Sequence, residues 1–199
     1  MSGGTKITRA VIFLCTSPIC LPSSEPPSTR TYISPDRSFE ITIPPDYAVH
    51  TGKDKPQISY IPVCHEDSLV CISFPPDRYH GTNFEGAAVE ITVLPATTET
   101  ACLNPPHEDF HVDAETPSKI IDGAHFLHAF FGGAAMSHDL VRHEYLGYKN
   151  RKCYKLAVEV TFSNFEVHPP GTIKEFTKRD QEQVRAQLER IIDSFRSLH

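Results

Sequence analysis

His107-Glu108-Asp109-Phe110-His111 satisfies the pattern His-Glu-x-x-His. On a helix this spacing sets two imidazoles on one face to hold zinc, and the glutamate acts as general base for a metal-bound water. The surroundings pull the other way. Pro105 and Pro106 directly precede the stretch and admit a helix only at its first turn. The segment is acidic and short, and no third ligand on a partner helix is evident downstream. A solvated acidic loop accounts for the same five residues. A zinc-dependent hydrolase using His107 and His111 as ligands and Glu108 as base therefore stands as the alternative reading.

Of the eleven histidines, four more form two further clusters, His125 with His128 and His138 with His143. In a strand His125 and His128 point to opposite faces and cannot chelate together. His143 shares a face with Val141 and Tyr145, which reads as half-buried sheet. The chain has no Gly-x-Ser-x-Gly elbow, phosphate-cradling loop or dinucleotide fingerprint, so no cofactor is implied.

The six cysteines bear on compartment. Lys6 and Arg9 precede the apolar run "AVIFLCTSPICL", the order of a secretory signal, and "PSSEPPSTR" follows as a polar, Pro-rich spacer. We expect residues 1–24 to be a signal-like leader, 25–31 a disordered spacer and 32–199 a single domain. A disordered leader or a misplaced start codon would read similarly. If the leader is removed, Cys64, Cys71, Cys102 and Cys153 remain, with three possible connectivities. "QISYIPVC" and "LVCISFPP" read as a hairpin closed by His65-Glu66-Asp67-Ser68, which brings Cys64 and Cys71 within disulfide reach. Cys102 and Cys153 then pair by elimination. Paired zinc cysteines are spaced by two to four residues, fewer than separate Cys64 from Cys71, and a redox Cys-x-x-Cys is absent. Buried free thiols in a cytoplasmic protein remain a competing reading. Disulfides place the mature chain in the periplasm, on the envelope or outside the cell.

Elements must position these groups. Apolar content of 39% and charged content of 22% are globular values, and the net charge is −6. An acidic body lacks the basic face that nucleic-acid binding requires. No apolar run approaches the roughly 20 residues of a spanning helix. "TYISPDRSFEITIPP" reads as two extended pieces split by a Pro-Asp turn, and "AAVEITVLP" as a strand with Val89, Ile91 and Val93 on one face. Ala96 to Pro117 reads as a long excursion with at most one helical turn around Cys102. "SKIIDGAHFLHAFFGG", "SHDLVRHEYLGY" and "KCYKLAVEVTF" read as three strands joined at "GGAAM" and "KNR". In the last, Tyr154, Leu156, Val158, Val160 and Phe162 face a core while Lys155, Glu159 and Thr161 face water. "TKRDQEQVRAQLERIIDSFRSLH" predicts a helix with Thr177 as N-cap, Asp180 completing a capping box, and an apolar stripe of Val184, Leu188, Ile191, Ile192 and Phe195. Strands closed by one amphipathic helix predict an α+β domain, mainly antiparallel, with that helix packed on one face.

"RSFEITIPPDY" near the start and "IIDSFRSLH" at the end resemble the bookends of the PsbP/Mog1-like families, over the span from Tyr32 to Leu198. In those families a Phe-x-Ile strand opens the domain and a helix ending in Ser-Phe packs on the sheet. Members range from photosystem accessory subunits to bacterial envelope proteins. The resemblance implies the fold and a non-catalytic accessory role, and it transfers no active site. The expectation is thus an exported, disulfide-stapled accessory or binding protein that is not an enzyme. Its partner, an unidentified protein or small molecule, would meet one sheet face and the Ala96–Pro117 excursion.

Overall fold

The computed structural model describes residues 28–52, 64–104 and 118–198. The pattern of alternating apolar residues produces ten strands, and the two capped segments produce two helices. In chain order these are β1 (Arg30–Ile33), β2 (Phe39–Ile43), β3 (Ala48–Thr51), β4 (Val70–Ser73), β5 (Phe84–Leu94), α1 (Glu99–Leu103), β6 (Lys119–Ile121), β7 (Ala124–Ala135), β8 (His138–Lys149), β9 (Lys152–Ser163), α2 (Lys178–Asp193) and β10 (Arg196–Ser197). Seven strands form one sheet in the order β3-β4-β5-β9-β8-β7-β6, and β1-β2-β10 form a small second sheet. All strand pairs are antiparallel. The fold is α+β, with α2 packed on the large sheet.

The core lies between the large sheet and the layer formed by α2 and β2. Val184, Leu188, Ile191 and Ile192 of α2 are buried there with Phe39, Ile41 and Ile43 of β2. They meet Val89 and Ile91 of β5 and Tyr154, Leu156, Val158 and Val160 of β9. Phe195, just past the helix, stacks on Phe39 at 5.6 Å and meets Tyr154 edge-on at 5.0 Å. The N-terminus of α2 carries the expected capping box: Thr177 Oγ1 accepts from the Asp180 backbone N–H, and Asp180 Oδ2 accepts from the Thr177 N–H.

Several boundaries differ from the sequence reading, each for a physical reason. β1 begins at Arg30, inside the stretch expected as spacer, because Arg30 and Thr31 pair with Ile43 and Thr42. The run expected as one strand from Ser118 to Gly133 breaks at Asp122-Gly123, both with positive φ (49° and 74°). That is the Asp-Gly signal of a tight hairpin, and it makes β6 a separate edge strand. Gly132 and Gly133 lie within β7, and the turn to β8 falls at Met136-Ser137 (φ 51° and 67°). β4 has β3 on one edge and β5 on the other, so its hairpin partner is residues 48–51. The partner expected from the sequence, residues 57–64, lies outside the described residues except for Cys64.

The largest correction concerns the second face of the sheet. Glu159 and Thr161 of β9 were expected in water, but both are fully buried, together with Ala88, Glu90 and Ala157. α1 covers one end of this face, where Cys102, Leu146 and Cys153 form a small apolar cluster. The segment beginning at Cys64 lies over another part, where Cys64, Cys71 and Ala88 cluster.

Candidate functional site

The cysteines form two bonds. Cys64 is joined to Cys71 with their Cα atoms 5.8 Å apart, and Cys102 to Cys153 with theirs 5.5 Å apart. Cys71 and Cys153 sit on the second face of the sheet, so each bond pulls a covering segment onto that face. Thr98 caps α1 by accepting from the Ala101 N–H at 3.2 Å, and Tyr148 donates to the Thr97 carbonyl at 2.7 Å. The second of these bonds holds the excursion against β8. On the other segment, the Leu69 N–H donates to the Ile91 carbonyl at 2.8 Å, and Ser68 Oγ donates to the His65 carbonyl at 2.8 Å. His65 is thereby suspended above the middle of the sheet.

Beneath it lies a buried ionic cluster. Arg142 of β8 donates from Nη1 to Glu90 Oε2 at 2.8 Å and to Glu159 Oε2 at 2.5 Å, and from Nε to Glu144 Oε1 at 2.7 Å. Strand register explains the convergence: Arg142 is the direct ladder partner of Glu159, and Glu90 lies on β5, the other neighbour of β9. Side-chain exposure is 8% for Arg142, 2% for Glu90 and 1% for Glu159. Burial by itself would lower the Arg142 pKa, but Glu90, Glu144 and Glu159 outweigh it and hold it above the usual range. The His65 backbone N–H donates to Glu90 Oε1, and the His65 ring Nε2 is 3.9 Å from Glu159 Oε2. Interaction with Glu159 raises the His65 pKa against the opposing effect of burial, and Glu90 adds to the rise.

The face toward α2 carries a second polar group of different character. His128 Nε2 and His143 Nδ1 are 3.0 Å apart, their rings stacked at 5.2 Å. Arg185 Nη1 lies 3.3 Å from His143 Nε2. A guanidinium only donates, so His143 Nε2 accepts, and neutral His143 keeps its proton on Nδ1 and donates it to His128. Burial, then the charge of Arg185, then His128 push the His143 pKa down to about 4. Tyr145 beside them donates to Glu189 at 3.0 Å, and burial followed by the Glu189 charge raises its pKa. The sequence places His143 and Tyr145 in the sheet correctly, and His125, on the opposite face from His128, is exposed. The pair is a packed element of the interface with α2, and its His143 is held neutral.

A groove of about 380 Å³ opens between α2 and the β2–β3 connection. Its walls include Pro44, Tyr47, Ile191, Arg78 and Arg190. Arg78 is fixed by a salt bridge to Asp46, by a bond to Gln187 at 2.6 Å, and by Tyr47 and Phe74 rings 5.7 and 5.2 Å from its guanidinium carbon. Burial pushes the Tyr47 hydroxyl up to about 12, so it stays a neutral donor. Arg190 is exposed and has no ion-pair partner among the described residues. A groove with an apolar wall, a fixed guanidinium and a second one at its rim suits a small anionic ligand.

His107, Glu108 and His111 lie outside the described residues. The ionic cluster itself went unread in the sequence. The signal was present, because Glu90 in "VEIT" and Glu159 in "VEVT" sit at equivalent places in two neighbouring strands, with Arg142 followed by His143 and Glu144 in "VRHEY".

No family model and no curated protein matches the chain. Solved structures do resemble it. A crystal structure from Bacteroides thetaiotaomicron aligns with a TM-score of 0.48 at 12% identity, over 85% of this chain and 48% of that one. The chain therefore spans about half the length of that protein. Cyanobacterial PsbP from Synechocystis aligns with a TM-score of 0.45 at 11% identity, over 89% of this chain and 97% of its own. LpqN, involved in cell envelope biogenesis of Mycobacterium tuberculosis, aligns with a TM-score of 0.40 at 9% identity, over 83% and 87%.

Proposed function

We propose that the chain is an exported, disulfide-stapled accessory domain that binds a partner or small ligand and catalyses no reaction. Its place would be the periplasm, the envelope or the extracellular space. The observation that carries this reading is the pair of cross-links. Cys71, Cys102 and Cys153 are at most 1% exposed and each bonds a covering segment to the sheet, an arrangement suited to an oxidising compartment. No helix among the described residues is long and apolar enough to cross a membrane. The buried ionisable groups support a binding role: Arg142 is tied to three carboxylates and His143 is held neutral, so neither is poised for proton transfer near neutral pH. The groove beside Arg78 and Arg190 is the ligand surface that fits this role, for a molecule carrying a carboxylate or another small anion.

Intact-mass analysis of the natively produced protein, with and without reductant, tests the reading. The expected result is a mature chain lacking the leader, gaining the mass of four hydrogens on reduction of its two disulfides. A full-length chain with no mass gain would refute it.

A further inference from the structure

We propose that His65, Glu90 and Glu159 form a binding site for a divalent cation, closed over by the segment that the Cys64–Cys71 bond anchors. One candidate ligand atom from each of these residues lies within 4.8 Å of those from the other two. The donor set, one imidazole nitrogen and two carboxylate oxygens, suits zinc or manganese. A cation bonded at about 2.1 Å to each holds tetrahedral ligands about 3.4 Å apart. His65 Nε2 and Glu159 Oε2, 3.9 Å apart, therefore close by about half an ångström on binding. Glu90 and Glu159 stand on neighbouring strands in the middle of the sheet, so the movement falls to the His65 segment.

Two independent observations point to a missing partner at this place. Glu159 Oε1 has no hydrogen-bond partner among the described residues, although its side chain is 1% exposed. Such an orphaned carboxylate oxygen is costly unless something else completes it. Charge is the second. Glu90, Glu144 and Glu159 surround the single guanidinium of Arg142, so three carboxyl groups share one buried cation. Arg142 bonds the Oε2 atoms of Glu90 and Glu159, and in the loaded site it orients both carboxylates as an outer partner of the ligands. The His65 side chain, 47% exposed, provides the entry path from solvent.

The test uses the disulfide-intact protein stripped with a chelator, then titrated calorimetrically with zinc and with manganese. The expected result is saturable binding of one cation. His65→Ala and Glu159→Gln each weaken it by about tenfold or more, and the double variant His107→Ala/His111→Ala leaves this binding unchanged. His65 lies on a half-exposed segment, so His65→Ala decides the matter if Glu159→Gln fails to fold. Absence of saturable binding would overturn the proposal. So would binding indifferent to His65→Ala, or binding abolished by the His107/His111 double variant. Because these readouts need neither export nor a leader, they can fail without touching the accessory-domain reading.

Discussion

Replacing Arg142 with methionine keeps most of the apolar stem and deletes the charge. In the wild type the guanidinium makes three bonds of 2.5–2.8 Å to Glu90, Glu144 and Glu159. Glu90 and Glu159 are almost fully buried. Breaking a buried ion pair from one side costs about 3–5 kcal/mol, because the remaining charges stay buried without compensation. With a urea slope of about 2 kcal/mol per molar, the unfolding midpoint of R142M falls by about 2 M at pH 7. The penalty also has a pH signature. Without Arg142, the folded state gathers protons on the crowded acids at a pH where the unfolded chain does not. The folded state then binds more protons than the unfolded one, so R142M gains stability relative to wild type as pH falls from 7 toward 5. Adding Glu90→Gln and Glu159→Gln to R142M recovers part of the loss at neutral pH. Urea melts followed by circular dichroism at pH 7 and pH 5 measure all of this. A loss below about 1 kcal/mol, or a gap equal at both pH values, would refute the claim that this cluster is dry and electrostatically coupled.

Three further outcomes follow from the same structure. Replacing Cys102 and Cys153 together with serine lowers stability by about 4 kcal/mol, against about 2 for Cys64 with Cys71, since the first bond closes a separation of 51 residues and the second 7; denaturant melts of the two double variants give the order. Gly147→Ala places a Cβ 2.6 Å from the Phe126 ring that covers it across the β7–β8 ladder, and destabilises by about 1–3 kcal/mol through the displaced ring; its thermal midpoint reports the loss. His143, faced by His128 of β7, Tyr145 of its own strand and Arg185 and Glu189 of α2, resists protonation when folded down to about 4, whereas the unfolded imidazole titrates near 6.5. Between those values the unfolded state holds the extra proton, so stability falls with falling pH, by about 1–2 kcal/mol after allowing for solvent screening, and His143→Leu flattens that slope.

What could be read from the sequence was local. The period-two face of β9, the stripe and capping box of α2 and the single turn around Cys102 all rest on neighbours a few residues apart, and all appear as expected. Turns without glycine were harder. Met136-Ser137 and Asn150-Arg151 adopt left-handed backbone at non-glycine residues, so the conspicuous Gly132-Gly133 drew the turn to the wrong place, although "KNR" did mark the second. The strand beside β4 was misassigned because "QISYIPVC" has the composition of a strand, while the shorter "AVHT" supplies the ladder. The ionic cluster was hidden for a different reason. Alternation in β5 and β9 assigns Glu90 and Glu159 to the face away from the core, which is correct. Whether that face meets water depends on cover from segments distant in the chain, which the cross-links tie to the sheet.

The two cross-links are tested by alkylating the natively produced protein under denaturing conditions without reductant, then mapping its peptides by mass spectrometry. The two bonds predict no label on Cys64, Cys71, Cys102 or Cys153, and linked peptides joining Cys64 to Cys71 and Cys102 to Cys153. Full labelling of all four thiols would contradict it.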